Sequence, residues 1–150
     1  MPRPQGLRPA EEVVPKLGAK PGNPVLRIGD IATYDRILEH LAGQCDRLEL
    51  DLPLRSPASR YGLVLCFALD AVDLRRLSSE LIRVTNPQGR IWVVVWKKDF
   101  VRPGTPSWDE LQEAMLETDW VDNKILSFGD QCYGTQYVLR KARRPTGASG

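Results

Sequence analysis

Two uninterrupted apolar runs constrain this chain more than any other feature. They are Gly62-Leu63-Val64-Leu65-Cys66-Phe67-Ala68-Leu69 and, after Arg90, Ile91-Trp92-Val93-Val94-Val95-Trp96. A strand with one wet face alternates polar and apolar residues. A strand-length run with no polar break belongs to a central strand covered on both faces. Between the runs, Leu74, Leu77, Leu81 and Val84 repeat at helical spacing, with Asp70 or Asp73 available as the cap and Asn86-Pro87-Gln88-Gly89 as the turn that follows. Strand, helix, strand in this order predicts a parallel pair with a right-handed crossover.

The flanking sequence extends that unit in both directions. Val25–Ile28 is a short strand ended by Gly29, and Ile31 to Ala42 is a helix placing Tyr34, Ile37, Leu38 and Leu41 on one face, with Asp30 as N-cap and Gly43 as stop. Leu48, Leu50 and Leu52 alternate with Glu49 and Asp51, which reads as a second strand closed by Pro53. After Pro103, Gly104 and Pro106, Ser107 and Glu110 have capping-box spacing and open a helix with Leu111, Met115 and Leu116 inward. Lys124–Phe128 and Thr135–Arg140 read as strands joined through 129–134, too short a link for a crossover helix, so this pair is antiparallel. The whole predicts an α/β domain over residues 24–142: a Rossmann-like, mostly parallel sheet of about six strands, helices on both faces and a C-terminal antiparallel hairpin. Half of the twelve prolines lie in the first 24 residues, so 1–23 reads as an extended arm with a short helical turn around Glu11–Leu17. Residues 143–150 read as a flexible tail.

Composition removes several functions. The 21 Lys and Arg against 19 Asp and Glu leave +2, too small an excess for a dedicated nucleic-acid binder. Cys45, Cys66, Cys132 and the single His40 make neither a disulfide framework nor a metal cluster, so no metal is expected. The thiols and the lack of an apolar leader or membrane-length run point to a cytoplasmic protein with no membrane partner.

In an open α/β sheet, ligands settle at the carboxyl ends of the strands. That rule gathers Gly29, Asp30, Asp51, Asp70, Trp96, Lys97, Lys98, Asp130 and Gln131 at one edge as candidate ligand-binding residues. Lys97 and Lys98 could hold a phosphate or carboxylate, or be one solvated cation and one paired with Asp99 or Asp130. Asp51 stands where an acid could accept hydrogen bonds from a ribose. S-adenosylmethionine or a dinucleotide, however, calls for a glycine-rich turn after the first strand, and Ile28-Gly29-Asp30-Ile31-Ala32 offers one glycine. Asp122-Asn123-Lys124 falls at the start of a strand, at the opposite edge, and reads as a turn closing the preceding helix. On that placement it shares no pocket with Trp96-Lys97-Lys98. No catalytic residue is assigned.

The order from Gly62 onward resembles the second half of a class I methyltransferase, element by element, with part of the first half missing. Three strings narrow the likeness: Leu17-Gly18-Ala19-Lys20-Pro21-Gly22, Gly89-Arg90-Ile91-Trp92-Val93-Val94-Val95-Trp96-Lys97-Lys98, and Trp120-Val121-Asp122-Asn123-Lys124-Ile125. Together they resemble the uncharacterised bacterial family catalogued as domain of unknown function 3052. The chain departs from that family where it has Trp96-Lys97 without an intervening proline and Cys132 in place of a tryptophan. The resemblance implies a methyltransferase-like fold and no established activity. Three readings follow. The first is a non-catalytic binding or regulatory domain for a small anionic or nucleotide-like ligand or a protein partner. The second is an S-adenosylmethionine-dependent enzyme using Gly29, Asp30, Asp51 and Asp70. The third is an assembly protein that forms homo-oligomers through an edge strand or the hairpin. The missing glycine-rich turn and the short span left for the fold favour the first.

Overall fold

The computed structural model describes residues 3–143. Its centre is one six-stranded sheet built from β1 (Val25–Ile28), β2 (Cys45–Leu48), β3 (Tyr61–Phe67), β4 (Thr85–Trp96), β5 (Trp120–Ser127) and β6 (Cys132–Leu139), in the order β2-β1-β3-β4-β6-β5. β2, β1, β3 and β4 are mutually parallel, and β6 runs antiparallel to both β4 and β5. This is the Rossmann-like α/β layout with its closing antiparallel pair. The chain moves outward from β1 to β2, then returns to the other side of β1 for β3. The switch point therefore lies between β1 and β3.

The apolar runs alternate between two cores. On one face Val25, Leu63, Leu65, Phe67, Trp92, Val94 and Trp96 pack under α1 (Ala10–Val13) and α2 (Asp35–Ala42). On the other, Leu26, Ile28, Val64, Cys66, Ile91, Val93 and Val95 meet α3 (Leu74–Val84) and α4 (Trp108–Leu116). Asp73 caps α3 by accepting from the Arg76 amide, and Ser107 with Glu110 forms the complete capping box of α4.

Several boundaries differ from the sequence reading. β2 is Cys45–Leu48, upstream of the alternating leucines, because β1 offers only four residues for parallel pairing. Leu48, Leu50 and Leu52 still pack on the second core, so their alternation marks half-buried chain and not the strand. Asp51 accordingly lies in a loop beyond the strand end. α2 begins at Asp35, whose carboxylate accepts from buried Arg27 (Nη2 2.8 Å) and from Arg47 (Nε 2.8 Å); Asp30 caps nothing. Asn86–Gly89 is a looped excursion within β4, where Asn86 Oδ1 accepts from the Gln88 amide between the Thr85 and Arg90 registers. Asp122-Asn123-Lys124 is a bulge inside β5, not a turn, since Asp122 pairs with Tyr137 and Lys124 with Gln136. Leu116 is 75% exposed and faces solvent, not the core.

The proline-rich arm is docked. Pro4, Ala10, Val13, Val14 and Leu17 are buried, and the Trp92 indole donates to the Leu17 carbonyl at 2.9 Å. The helical turn expected around Glu11–Leu17 is α1 continued by a 3-10 turn over Val14–Lys16. Most of the tail, 144–150, lies outside the described residues.

Candidate site at the carboxyl ends of the strands

The arm crosses this edge from the end of β1 to the β5–β6 connection. Arg3 forms a bidentate ion pair with Asp30. The Gln5 amide donates to Gln131 Oε1 at 2.9 Å, the Asp130 amide to the Gly6 carbonyl at 3.4 Å, and the Arg8 amide to the Phe128 carbonyl at 2.8 Å. Leu7 bridges Gly129 as an antiparallel pair. Glycine is required at this crossing. A Cβ on Gly129 would sit 2.4 Å from the Gly6 carbonyl oxygen, and one on Gly6 would sit 2.5 Å from Asp130 Oδ2. Below it Phe128 meets the rings of Tyr34, Phe67 and Trp92 edge-on, and the Tyr34 hydroxyl donates to the Arg8 carbonyl at 3.1 Å.

Gly29 has a local reason to be glycine. Its φ is +97°, and an added Cβ would meet the Phe67 Cβ and carbonyl oxygen, each at 3.1 Å. The residue lets β1 end against β3. Asp30, beside it, is held below the usual carboxylate range, first by its hydrogen bonds from Arg3. At this end the arm contacts the side chains of Asp30 and Gln131 and the backbone amide of Asp130, and Gly29 is the one glycine in the turn after β1.

The other candidates separate. Lys97 and Lys98 do not converge: Lys97 Nζ lies 3.4 Å from Ser127 Oγ, while Lys98 lines a concavity of about 370 Å³ with Trp96, Ser107, Trp108, Asp109 and Tyr133. Trp96 is buried, donates to the Leu69 carbonyl at 2.9 Å and carries the Arg102 guanidinium 4.2 Å above its ring. Asp70 follows β3 and is half-buried; Asp51 lines a shallow hollow with Arg47, Glu49 and Arg55 near β2. Asp122, Asn123 and Lys124 lie on the edge strand at the far end.

No displaced pKa at this edge favours acid–base work near neutrality. Burial pushes the Cys132 thiol up to about 11 and the Tyr34 hydroxyl up to about 12. Cys45 and Cys66 are likewise raised by burial, to about 11 and about 12, so all three thiols stay protonated at neutral pH. Among the described residues no group of His, Cys, Asp and Glu could hold a metal ion, and no helix is long and apolar enough to cross a membrane.

Sequence reasoning missed the arm contacts. Gly129 read only as part of the link between the last two strands, and nothing in the sequence ties it to Gly6. Nor did sequence reasoning find that Gly18, Arg90, Trp92, Lys124 and Ile125, drawn from all three strings, line one pocket; Trp96, Lys97 and Lys98 are not among its lining residues.

No family model matches the chain, and no curated protein does. Solved structures do. An S-adenosylmethionine-dependent methyltransferase from Aquifex aeolicus superposes with a TM-score of 0.68 at 16% identity, over 87% of this chain and 89% of that one. A candidate type 11 methyltransferase from Sulfolobus solfataricus gives 0.69 at 16% identity, over 91% and 95%. A chain from the complex between the Haloferax volcanii Trm112 methyltransferase activator and its candidate methyltransferase gives 0.68 at 12%, over 87% and 88%. The fold is thus methyltransferase-like. Chains of this length carry methyltransferase names, so shortness is no argument against an enzyme.

Proposed function

We propose that this chain is a methyltransferase-fold protein that works by binding and not by methyl transfer, its cofactor end closed by its own arm. The observation behind this reading is the crossing at Gly6 and Gly129, with Arg3 on Asp30 and Gln5 on Gln131. A cofactor entering there would have to break those contacts and find no glycine loop in exchange. The likeness to domain of unknown function 3052, carried by the three strings, agrees with a fold kept without an assigned activity. The concavity lined by Trp96, Lys98, Trp108, Asp109 and Tyr133 contains no arm residue; its aromatic wall and Lys98 suit a small nucleotide-like ligand. A cytoplasmic setting fits the three unpaired, buried thiols.

The methyltransferase reading keeps one specific support, the near-complete overlap with the Aquifex and Sulfolobus chains. The Haloferax complex supports a protein partner. Isothermal titration of the full chain with S-adenosylmethionine separates the first two readings. The closed-arm reading expects no heat at millimolar cofactor; one-to-one binding at micromolar concentration would replace it with the enzyme reading.

A further inference from the structure

Where the sheet begins, away from the arm crossing, the first face carries a pocket of about 430 Å³ lined by Lys16, Arg90 and Lys124 with Pro15, Trp92 and Leu126. The three cations come from the arm, β4 and β5. None of them forms an ion pair with a carboxylate among the described residues. Gly18 lets Arg90 lie close, since a Cβ there would fall 2.7 Å from Arg90 Nη1. Lys16 and Lys124 are exposed and solvent screens their repulsion, but the three cations, drawn from separate elements, leave the pocket lined by positive charge alone.

A second, independent observation points to the same place. Gln136 is fully buried, and neither its Nε2 nor its Oε1 has a hydrogen-bond partner. Cross-strand register sets it in one row between Trp92 of β4 and Lys124 of β5, two residues that line the pocket. A buried amide with both ends unmet is costly in a native core, and a site for a polar ligand is one of the few reasons to carry it. We propose that this pocket binds a small organic phosphate. Arg90, Lys16 and Lys124 take the phosphate oxygens, Pro15 and Leu126 supply the apolar wall, and Gln136, not itself a lining residue, offers its amide to the polar body from the strand row between Trp92 and Lys124. The site lies at the opposite end of the strands from the arm crossing, so its failure would leave the proposed function standing.

The test is isothermal titration of the full chain with inorganic phosphate, adenosine 5′-monophosphate, glucose 6-phosphate and, as the phosphate-free control, adenosine. One of the two organic phosphates is expected to bind one-to-one and more tightly than inorganic phosphate, with adenosine silent and affinity falling as salt rises. Arg90→Gln and Lys124→Gln should each raise Kd about tenfold or more. Gln136→Leu should erase the preference for the organic over the inorganic phosphate. Absence of heat from every phosphate at millimolar concentration overturns the proposal. So does binding unchanged in the Arg90→Gln and Lys124→Gln variants, provided their circular dichroism shows them folded. A preference that survives Gln136→Leu overturns the role given to the amide.

Discussion

Buried polar residues hold the first face together and expose it to single changes. Arg27 and Asp35 are both buried, and Arg47 closes the cluster from β2. Burial by itself would raise the Asp35 pKa, but hydrogen bonds from Arg27 and Arg47 outweigh it and hold the carboxyl low. Asp35→Ala leaves the Arg27 guanidinium buried with no carboxylate and only the Gly29 carbonyl to donate to, and is expected to cost about 3–5 kcal/mol in urea unfolding. Gln136 acts in the other direction. Replacing its unmet amide by leucine removes a desolvation penalty, so Gln136→Leu should stabilise the ligand-free chain by about 1–3 kcal/mol in the same measurement. At the arm crossing, Gly129→Ala forces a Cβ into the Gly6 carbonyl at a φ of +153°. That variant should lose more than about 1 kcal/mol and expose the arm to protease around Gly6.

At the scale of elements, the capping box at Ser107 is the cleanest case of a local signal with a local consequence. Ser107→Ala removes the acceptor for the Glu110 amide and should lower stability by about 1 kcal/mol. Such signals were the legible part of the sequence. The apolar runs became β3 and β4, Asp73 and Ser107 became caps, and Gly43 ended α2 in a left-handed conformation, because each depends on neighbours within a turn or on burial from both sides. What was not legible depends on distant partners. β2 was misplaced because its bounds are set by the four residues of β1. The start of α2 was misplaced because Asp35 answers to Arg27 and Arg47. The rule of strand ends picks out the candidate edge by position along the sheet alone. Its state was not visible, since nothing near Asp30 or Gln131 announces Arg3 or Gln5. The far pocket was missed for the same reason: Lys16, Arg90 and Lys124 meet only through the sheet.

For the whole molecule, four carboxyls have their pKa lowered by the fold. Asp30, Asp35, Asp46 and Glu80 are all held below their ordinary values by hydrogen bonds from arginines or, for Asp46, first from Tyr61. A depressed folded-state pKa contributes stability above the unfolded value, and that contribution is lost as pH falls through the folded one. The fold should therefore keep its stability down to the ordinary carboxyl values of 3.8 and 4.5 and lose it progressively below them, most steeply where Asp35 protonates. A circular-dichroism acid titration reads this, and in Asp35→Ala the loss should be shallower. The exposed Asp30 pair adds little to that slope, because solvent screens it. Its importance is to the arm. On the closed-arm reading proposed above, the arm keeps the carboxyl ends of the strands covered. Amide hydrogen exchange at Arg8 and Asp130, whose N–H groups donate to the Phe128 and Gly6 carbonyls, reports that state directly. The closed-arm account predicts slowed exchange at both, unchanged by millimolar S-adenosylmethionine. Exchange at the rate of a free peptide, or protection that vanishes when the cofactor is added, would contradict it.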